Sequence, residues 1–279
     1  MLLAKNNERT IQECLEAVRQ NNPEEILVLD GLSTDKTIEI ARRYTGKIYS
    51  DGGNGVTYAR QLGAELANED YIAYVDADVI LAPNTLQVML NELQMKGWAA
   101  IHARLLAIPM PGYFNWADHQ WKNVIRPERP GERKFIAMHA NLFPRDIILK
   151  YGIDPSLRCD DVDLSYRLLK NGHKIGISSA HCYHYQSATI IKHFYWNGTG
   201  TAKFLLKYKN SPTAVIRYVI IGALAFPVYG MLLSVVKGDL RLIPFFVVDA
   251  CVQTAGLIKE LLDALIRFLK QFGIVKIKE

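Results

Sequence analysis

Residues 71–80 read Tyr71-Ile72-Ala73-Tyr74-Val75-Asp76-Ala77-Asp78-Val79-Ile80. A strand buried on both faces of a parallel sheet is a near-continuous apolar run, and ligands of open α/β sheets sit outside the carboxyl ends of such strands. The run therefore delivers Asp76 and Asp78 to the place where that fold does its chemistry. Side chains at i and i+2 of an extended segment share a face, so both acids can reach one divalent cation, or a diphosphate held through it. Hard oxygen ligands suit Mg2+ or Mn2+. A plain loop pair with one aspartate capping a helix would carry the same letters, so the neighbouring sequence has to decide.

That sequence alternates strand and helix. Leu2 to Ala4 form a curtailed first strand, and Ile11, Cys14, Leu15 and Val18 follow at helical spacing. Ile26 to Leu29 is a second strand, and Asp30 to Asp35 is a turn and helix start before Thr37 to Ala41. Gly52-Gly53-Asn54-Gly55 opens a helix through Tyr58, Ala59, Leu62 and Leu66, after which comes the strand that ends on Asp76. A helix from Pro83 to about Met95 and a strand from Ala99 to Leu106 continue the pattern. Such alternation means an α/β fold with a mixed, mainly parallel sheet flanked by helices. Pro109 to Arg133, rich in Pro, Gly, Trp and charge, reads as a long functional loop.

The candidate site grows from these ends. Asp30 and Asp76 close two parallel strands and can face one crevice. Between them Asn54 and Gly55, with Arg60 beyond, let backbone and guanidinium approach an anion, which suggests a nucleotide diphosphate site. Downstream, Asp160-Asp161-Val162-Asp163-Leu164 starts a helix that stops at Asn171-Gly172. The helix dipole accounts for one or two acids there. A carboxylate left free can act as a general base. His184 can complete a carboxylate-bound divalent site.

Asn7-Glu8 with Ile11, Asp30-Gly-Leu-Ser-Thr-Asp35-Lys-Thr, Asn54-Gly55 with Ala59-Arg60 and Gly63, Asp76-Ala-Asp78, Asp160-Asp161-Val-Asp163-Leu with Arg167 and Gly172, and His184 occur in this order. Together they resemble family 2 glycosyltransferases of GT-A (Rossmann-like) fold over about residues 2–200. The resemblance implies transfer from a nucleotide-activated sugar with inversion at the anomeric carbon. It implies that Asp30 binds the nucleobase, Asp76 the ribose or sugar, and Asp78 a metal bridging the diphosphate. It also implies Asp161 as base beside Asp160, with His184 as second metal ligand. Asp160 stands where the family usually has glutamate, which blurs which acid is the base, and Gly31-Leu32 replaces a more usual Asp-Gly.

Composition bounds the rest. A net charge of +5 with no Lys/Arg run longer than two gives little footing for nucleic acid. Four cysteines without C-x-x-C spacing argue against a zinc cluster or disulfide framework and suit a reducing compartment. The first residues show no basic segment followed by an apolar core and cleavage site. Tyr218 to Val236 is uncharged over 19 residues, close to the roughly 20 needed to span a bilayer. Leu242 to Ile258 forms a second apolar stretch broken by Asp249, and 259–279 is an amphipathic basic segment suited to an interface. The organisation expected is a catalytic domain over 1–210, a transmembrane or re-entrant hairpin over 211–258, and an interfacial helix over 259–279. The function expected is metal-assisted transfer from a nucleotide sugar to a lipid-linked or saccharide acceptor, at a membrane lipid surface, with the catalytic domain facing the cytoplasm. Two rivals are a non-catalytic membrane scaffold that keeps the fold, and a phosphatase using Asp76 as nucleophile. The latter expects its Asp-x-Asp on the first strand, whereas two β/α units precede Asp76 here.

Overall fold

A computed structural model describes residues 1–157, 159–185 and 190–271. The chain divides into two compact units, Met1–Ser156 with Asp160–Gln186, and Leu157–Cys159 with Ser187–Glu279.

The first unit is a nine-stranded sheet: β1 (Leu2–Ala4), β2 (Val28–Asp30), β3 (Ile48–Ser50), β4 (Tyr71–Asp76), β5 (Val79–Leu81), β6 (Ala100–Ala107), β7 (Gly131–Arg133), β8 (Ala140–Pro144) and β9 (Ile175–His184). The order is β3-β2-β1-β4-β8-β6-β9-β5, with β7 beside the opening residues of β9. β1 to β4 pair in parallel, β8 runs antiparallel between β4 and β6, and β6 and β9 are parallel again. The expected mixed, mainly parallel sheet is thus observed. Two helical layers bury it. Cys14 and Leu15 of α1 (Ile11–Gln20), and Met89 and Leu93 of a helix at Thr85–Lys96, pack on Val75 and Ile101. Ala64, Ile148, Leu164 and Leu168 pack on Ile72, Tyr74 and Phe143 from the other side. The helices in chain order after α1 are α2 (Thr37–Ala41), α3 (Val56–Leu66), α4 (Thr85–Lys96), α5 (Tyr113–His119), α6 (Arg145–Tyr151) and α7 (Asp160–Lys170).

The long loop expected over 109–133 is a helix for half its length. α5 continues as a π-helix through Gln120–Ile125, with Ala117 and Trp121 buried one turn apart. Flanking prolines and aromatic density hide that period in the sequence. β3, β5 and β7 have three residues each, too few to show alternation. β9 reaches His184 across a register shift opposite His102 to Arg104. Glu92 covers that irregularity, accepting bonds from the Ser178 and Ser179 hydroxyls and the Ser179 amide.

The second unit is helical: α8 (Ile190–Tyr208), α9 (Pro212–Leu224), α10 (Phe226–Val236) and α11 (Ile243–Gln271). α9 and α10 meet at a 47° bend, where Pro227 removes a backbone donor. α8 belongs with these helices, so the division near residue 187 precedes the boundary expected at 210. No break occurs at 258, because good helix formers carry α11 on to Gln271. Residues 272–279 of the expected interfacial segment lie outside the described residues. α8 and α11 touch backbone to backbone: a Cβ on Gly198 would lie 1.9 Å from the Gln253 carbonyl, and one on Gly256 2.3 Å from the Tyr195 carbonyl.

Candidate active site

The carboxyl ends of β2, β3 and β4 set Asp30, Asp51 and Asp76 along one edge. Asp30 accepts the Ser33 amide at 3.2 Å and so shapes its own loop. That loop is locked to the one after β1: Asn6 accepts the Thr34 amide at 2.8 Å, and Asn7 donates its amide to Thr37 Oγ1 at 2.7 Å. Leu32 sits at φ 62°. A branched residue is strained there, and the Leu32 side chain stands exposed in the loop that Asp30 begins.

Asp51 was not among the expected site residues. It is buried, and its two oxygens accept the amides of Gly53 at 2.7 Å and Gly55 at 3.1 Å. Both glycines have positive φ, which glycine alone adopts freely. Asp51 therefore fixes the loop that aims Asn54 and Gly55 outward, and the only sequence signal was its place just before the glycine cluster.

Arg60 is engaged by protein groups. It is buried, donating to Asp160 Oδ2 at 2.6 Å, to Asp76 Oδ1 at 3.4 Å and to the Met138 carbonyl at 3.1 Å. The Tyr74 hydroxyl bonds to the Arg60 carbonyl and holds that turn. The guanidinium is the counterion of the buried Asp160 and of the half-buried Asp76. Burial, only partly offset by Arg60, pushes the Asp76 carboxyl up to about 7.

The three acids of α7 divide by the same logic. Asp160 is spent on Arg60, and Asp163, fully buried, is spent on Arg167 at 2.8 Å. Asp161 is the half-buried one, and among the described residues its carboxylate accepts only the Val162 amide, at 2.8 Å. Burial and the neighbouring Asp160 charge raise its carboxyl to about 7, the range suited to a general base near neutrality.

β5 and β9 bring the last pair together. Val79 lies opposite His184, and His184 Nε2 stands 3.4 Å from Asp78 Oδ1. An oxygen and a nitrogen so spaced can be neighbouring ligands of one cation. His184 Nδ1 is buried without a hydrogen-bond partner. No cluster of three or more metal-ligating side chains occurs among the described residues, so a cation here would draw its remaining ligands from phosphate oxygens and water. The donor set fits a hard divalent ion on those terms.

A mixed α/β sheet with acids on three strand ends and an Asp-x-Asp on the central strand defines a glycosyltransferase of GT-A type. The glycosyl transferase family 2 model matches residues 2–151, and the chain belongs to that family. Among curated proteins it is similar to 4,4'-diaponeurosporenoate glycosyltransferase of Staphylococcus haemolyticus, 36% identical over 86 residues, 28% of this chain and 23% of that protein. An uncharacterized glycosyltransferase of Haemophilus influenzae is 34% identical over 87 residues, 29% of this chain and 34% of its own length. The matches thus span about a quarter to a third of these relatives' length. Among solved structures, the mannosyltransferase PcManGT of Pyrobaculum calidifontis in complex with GDP-Man and Mn2+ has a TM-score of 0.65 at 15% identity, covering 94% of this chain and 86% of that one. S. aureus TarS 1-349 in complex with UDP-GlcNAc has a TM-score of 0.55 at 14% identity, covering 92% and 89%.

Proposed function

We propose that the protein transfers a sugar, with inversion, from a nucleotide-diphosphate donor to a hydroxyl of a lipid-linked or glycan acceptor at a membrane surface. The observation that carries the reading is Asp161: of the three acids in its helix turn it is the one not paired with an arginine among the described residues. As base it takes the acceptor hydroxyl proton while that oxygen bonds to the anomeric carbon and the bond to the diphosphate breaks. Asp160 positions it through Arg60. Asp30 receives the nucleobase, Asp76 the ribose or sugar, and Asn54 and Gly55 the diphosphate side. Asp78 and His184 would hold Mn2+ or Mg2+, which when bound offsets charge on the leaving diphosphate. The GDP-Man and UDP-GlcNAc complexes of the similar structures support a nucleotide-sugar donor. The membrane placement is supported by the C-terminal helices, since the most apolar part of Leu240–Gln271 is only 33% buried, unlike a core helix; the cytoplasmic side for the catalytic unit is part of the proposal.

The test is nucleotide-diphosphate release from a panel of nucleotide sugars, with Mn2+ or Mg2+ and then chelator, for wild type and Asp78→Ala. Metal-dependent release lost in the variant supports the reading. No release from any donor, with membrane lipid extract added, overturns it in favour of the scaffold.

A further inference from the structure

Strand register places Tyr74, Asn141, His102 and Ile177 in one row across β4, β8, β6 and β9. By alternation the next row on that face, nearer the carboxyl edge, holds Asp76, His139 and Arg104. The His102 and His139 rings, 5.5 Å apart, agree with it. This end of the sheet gathers most of the unsatisfied buried polar atoms of the described residues: both ring nitrogens of His102, Asn141 Oδ1, Arg104 Nε and His184 Nδ1. Buried polar atoms in native proteins nearly always find partners, so such a concentration marks a place completed by something else.

Arg104 is the informative member. Arg60 and Arg167 donate to carboxylates, and Arg145 donates to carbonyls. Arg104 forms no hydrogen bond or ion pair among the described residues, although its Nε is buried. It also stands three residues, roughly 10 Å, back along β6 from Ala107, the residue paired with His184. Its position is therefore separate from the Asp78–His184 pair. On the same face the following row is apolar and partly exposed: Leu106, Tyr183 and Ile80 lie side by side across β6, β9 and β5, with Tyr183 40% exposed and the other two half-buried. This shelf is held in place from the other edge of β6, where β8 has ended. There Asn123 bonds both the amide and carbonyl of Ala107, at 3.0 and 2.9 Å, and Glu128 accepts the Leu105 amide at 2.8 Å.

We infer that Arg104 is an acceptor-specificity residue: it binds the phosphate of an amphiphilic acceptor whose apolar chain lies along Leu106, Tyr183 and Ile80 and whose sugar hydroxyl is presented for transfer. An unpaired guanidinium beside a half-exposed apolar row matches an anionic group joined to a hydrocarbon chain. The inference rests on the transferase reading above and deepens it by naming the acceptor class as a lipid-phosphate-linked saccharide.

The full chain is assayed in detergent with two acceptors, a short-chain lipid-phosphate-linked saccharide and the same saccharide on a neutral alkyl chain. Arg104→Gln is expected to raise KM for the phosphate acceptor about tenfold or more, the loss of a charge-assisted hydrogen bond. KM for the neutral acceptor and for the donor should move by less than about twofold, and Arg104→Lys should recover part of the loss. Inorganic phosphate should compete with the phosphate acceptor in wild type and lose that competition in Arg104→Gln. Equal effects on both acceptors, or a parallel rise in donor KM, would overturn the inference. So would a wild type that uses the neutral acceptor as well as the phosphate one, and that result would leave the transferase reading intact. No nucleotide release from any donor would instead defeat the underlying reading itself.

Discussion

Replacing Arg60 by methionine separates two meanings of that residue. Methionine fills much of the buried volume of the side-chain stem but removes the charge. Asp160, 2.6 Å from the guanidinium with its side chain 6% exposed, is then left as an unpaired buried carboxylate. Asp76 loses its 3.4 Å partner as well but keeps 31% exposure, so most of the cost falls on Asp160. Breaking a buried pair in this way costs about 3–5 kcal/mol. For a unit of this size each kcal/mol lowers Tm by about 2–4 °C, so the melting temperature should fall by roughly 6–20 °C. The penalty should depend on pH with a definite sign. Without the cation a buried carboxylate is tolerated best when protonated, so the deficit grows as the pH rises. Thermal melts in detergent at pH 5 and pH 8 should show the larger deficit at pH 8, and Asp160→Asn added to Arg60→Met should restore part of it. A variant within about 1 kcal/mol of wild type at both pH values, yet with donor KM raised tenfold or more, would refute the counterion role and return Arg60 to the diphosphate.

Asp161→Asn should lower kcat with a hydroxyl acceptor by about 10²–10⁴, and in wild type kcat/KM should rise with pH through about 7, where burial and Asp160 place the Asp161 carboxyl; a flat profile between pH 6 and 8 would deny it the role of base. His184→Ala should raise the Mn2+ concentration needed for half-maximal nucleotide release by about 10- to 100-fold, and an unchanged metal titration would remove it from the metal site. Gly198→Leu forces a side chain into the space where a Cβ alone meets the Gln253 carbonyl at 1.9 Å, so the α8–α11 crossing must open and the melting temperature in detergent should drop by several degrees. Leu232 and Val236 are 62% and 79% exposed on α10; Leu232→Glu with Val236→Glu should weaken flotation with anionic vesicles, and undiminished flotation would place the membrane contact elsewhere.

The fold was legible because its central strands are long enough to be read. Tyr71–Asp76 is buried between two helical layers, and that environment admits only the apolar run that the sequence displays. Three-residue strands carry no such record. β5 matters most among them, since Val79–Leu81 pairs with Cys182–His184 and so brings Asp78 to His184 across about a hundred residues of chain. The two residues could be nominated from their chemistry, but their meeting depends on a strand too short to have a period. Asp51 was missed for a related reason: its task is to accept two amides from the loop it begins, and nothing in the spacing of a glycine cluster says which neighbour holds it.

Arg60 and Arg104 show where sequence reasoning reaches its limit and why. Both are arginines near strand-end acids, and a guanidinium near the proposed diphosphate site invites the same assignment to either. Burial with carboxylates is what distinguishes them. Arg60 lies on the buried face of α3, where two acids already require its charge, so a ligand would have to outcompete bonds at 2.6 and 3.4 Å. Each has a buried Nε without a partner, but Arg104 lies on β6 past the point where β8 has ended, with no acid paired to its guanidinium among the described residues. An internal cation that is satisfied stabilises the site; one that is not leaves a free-energy deficit that binding can remove. By that criterion the residue first chosen from sequence builds the donor side, and the one not singled out is where the acceptor's charge belongs.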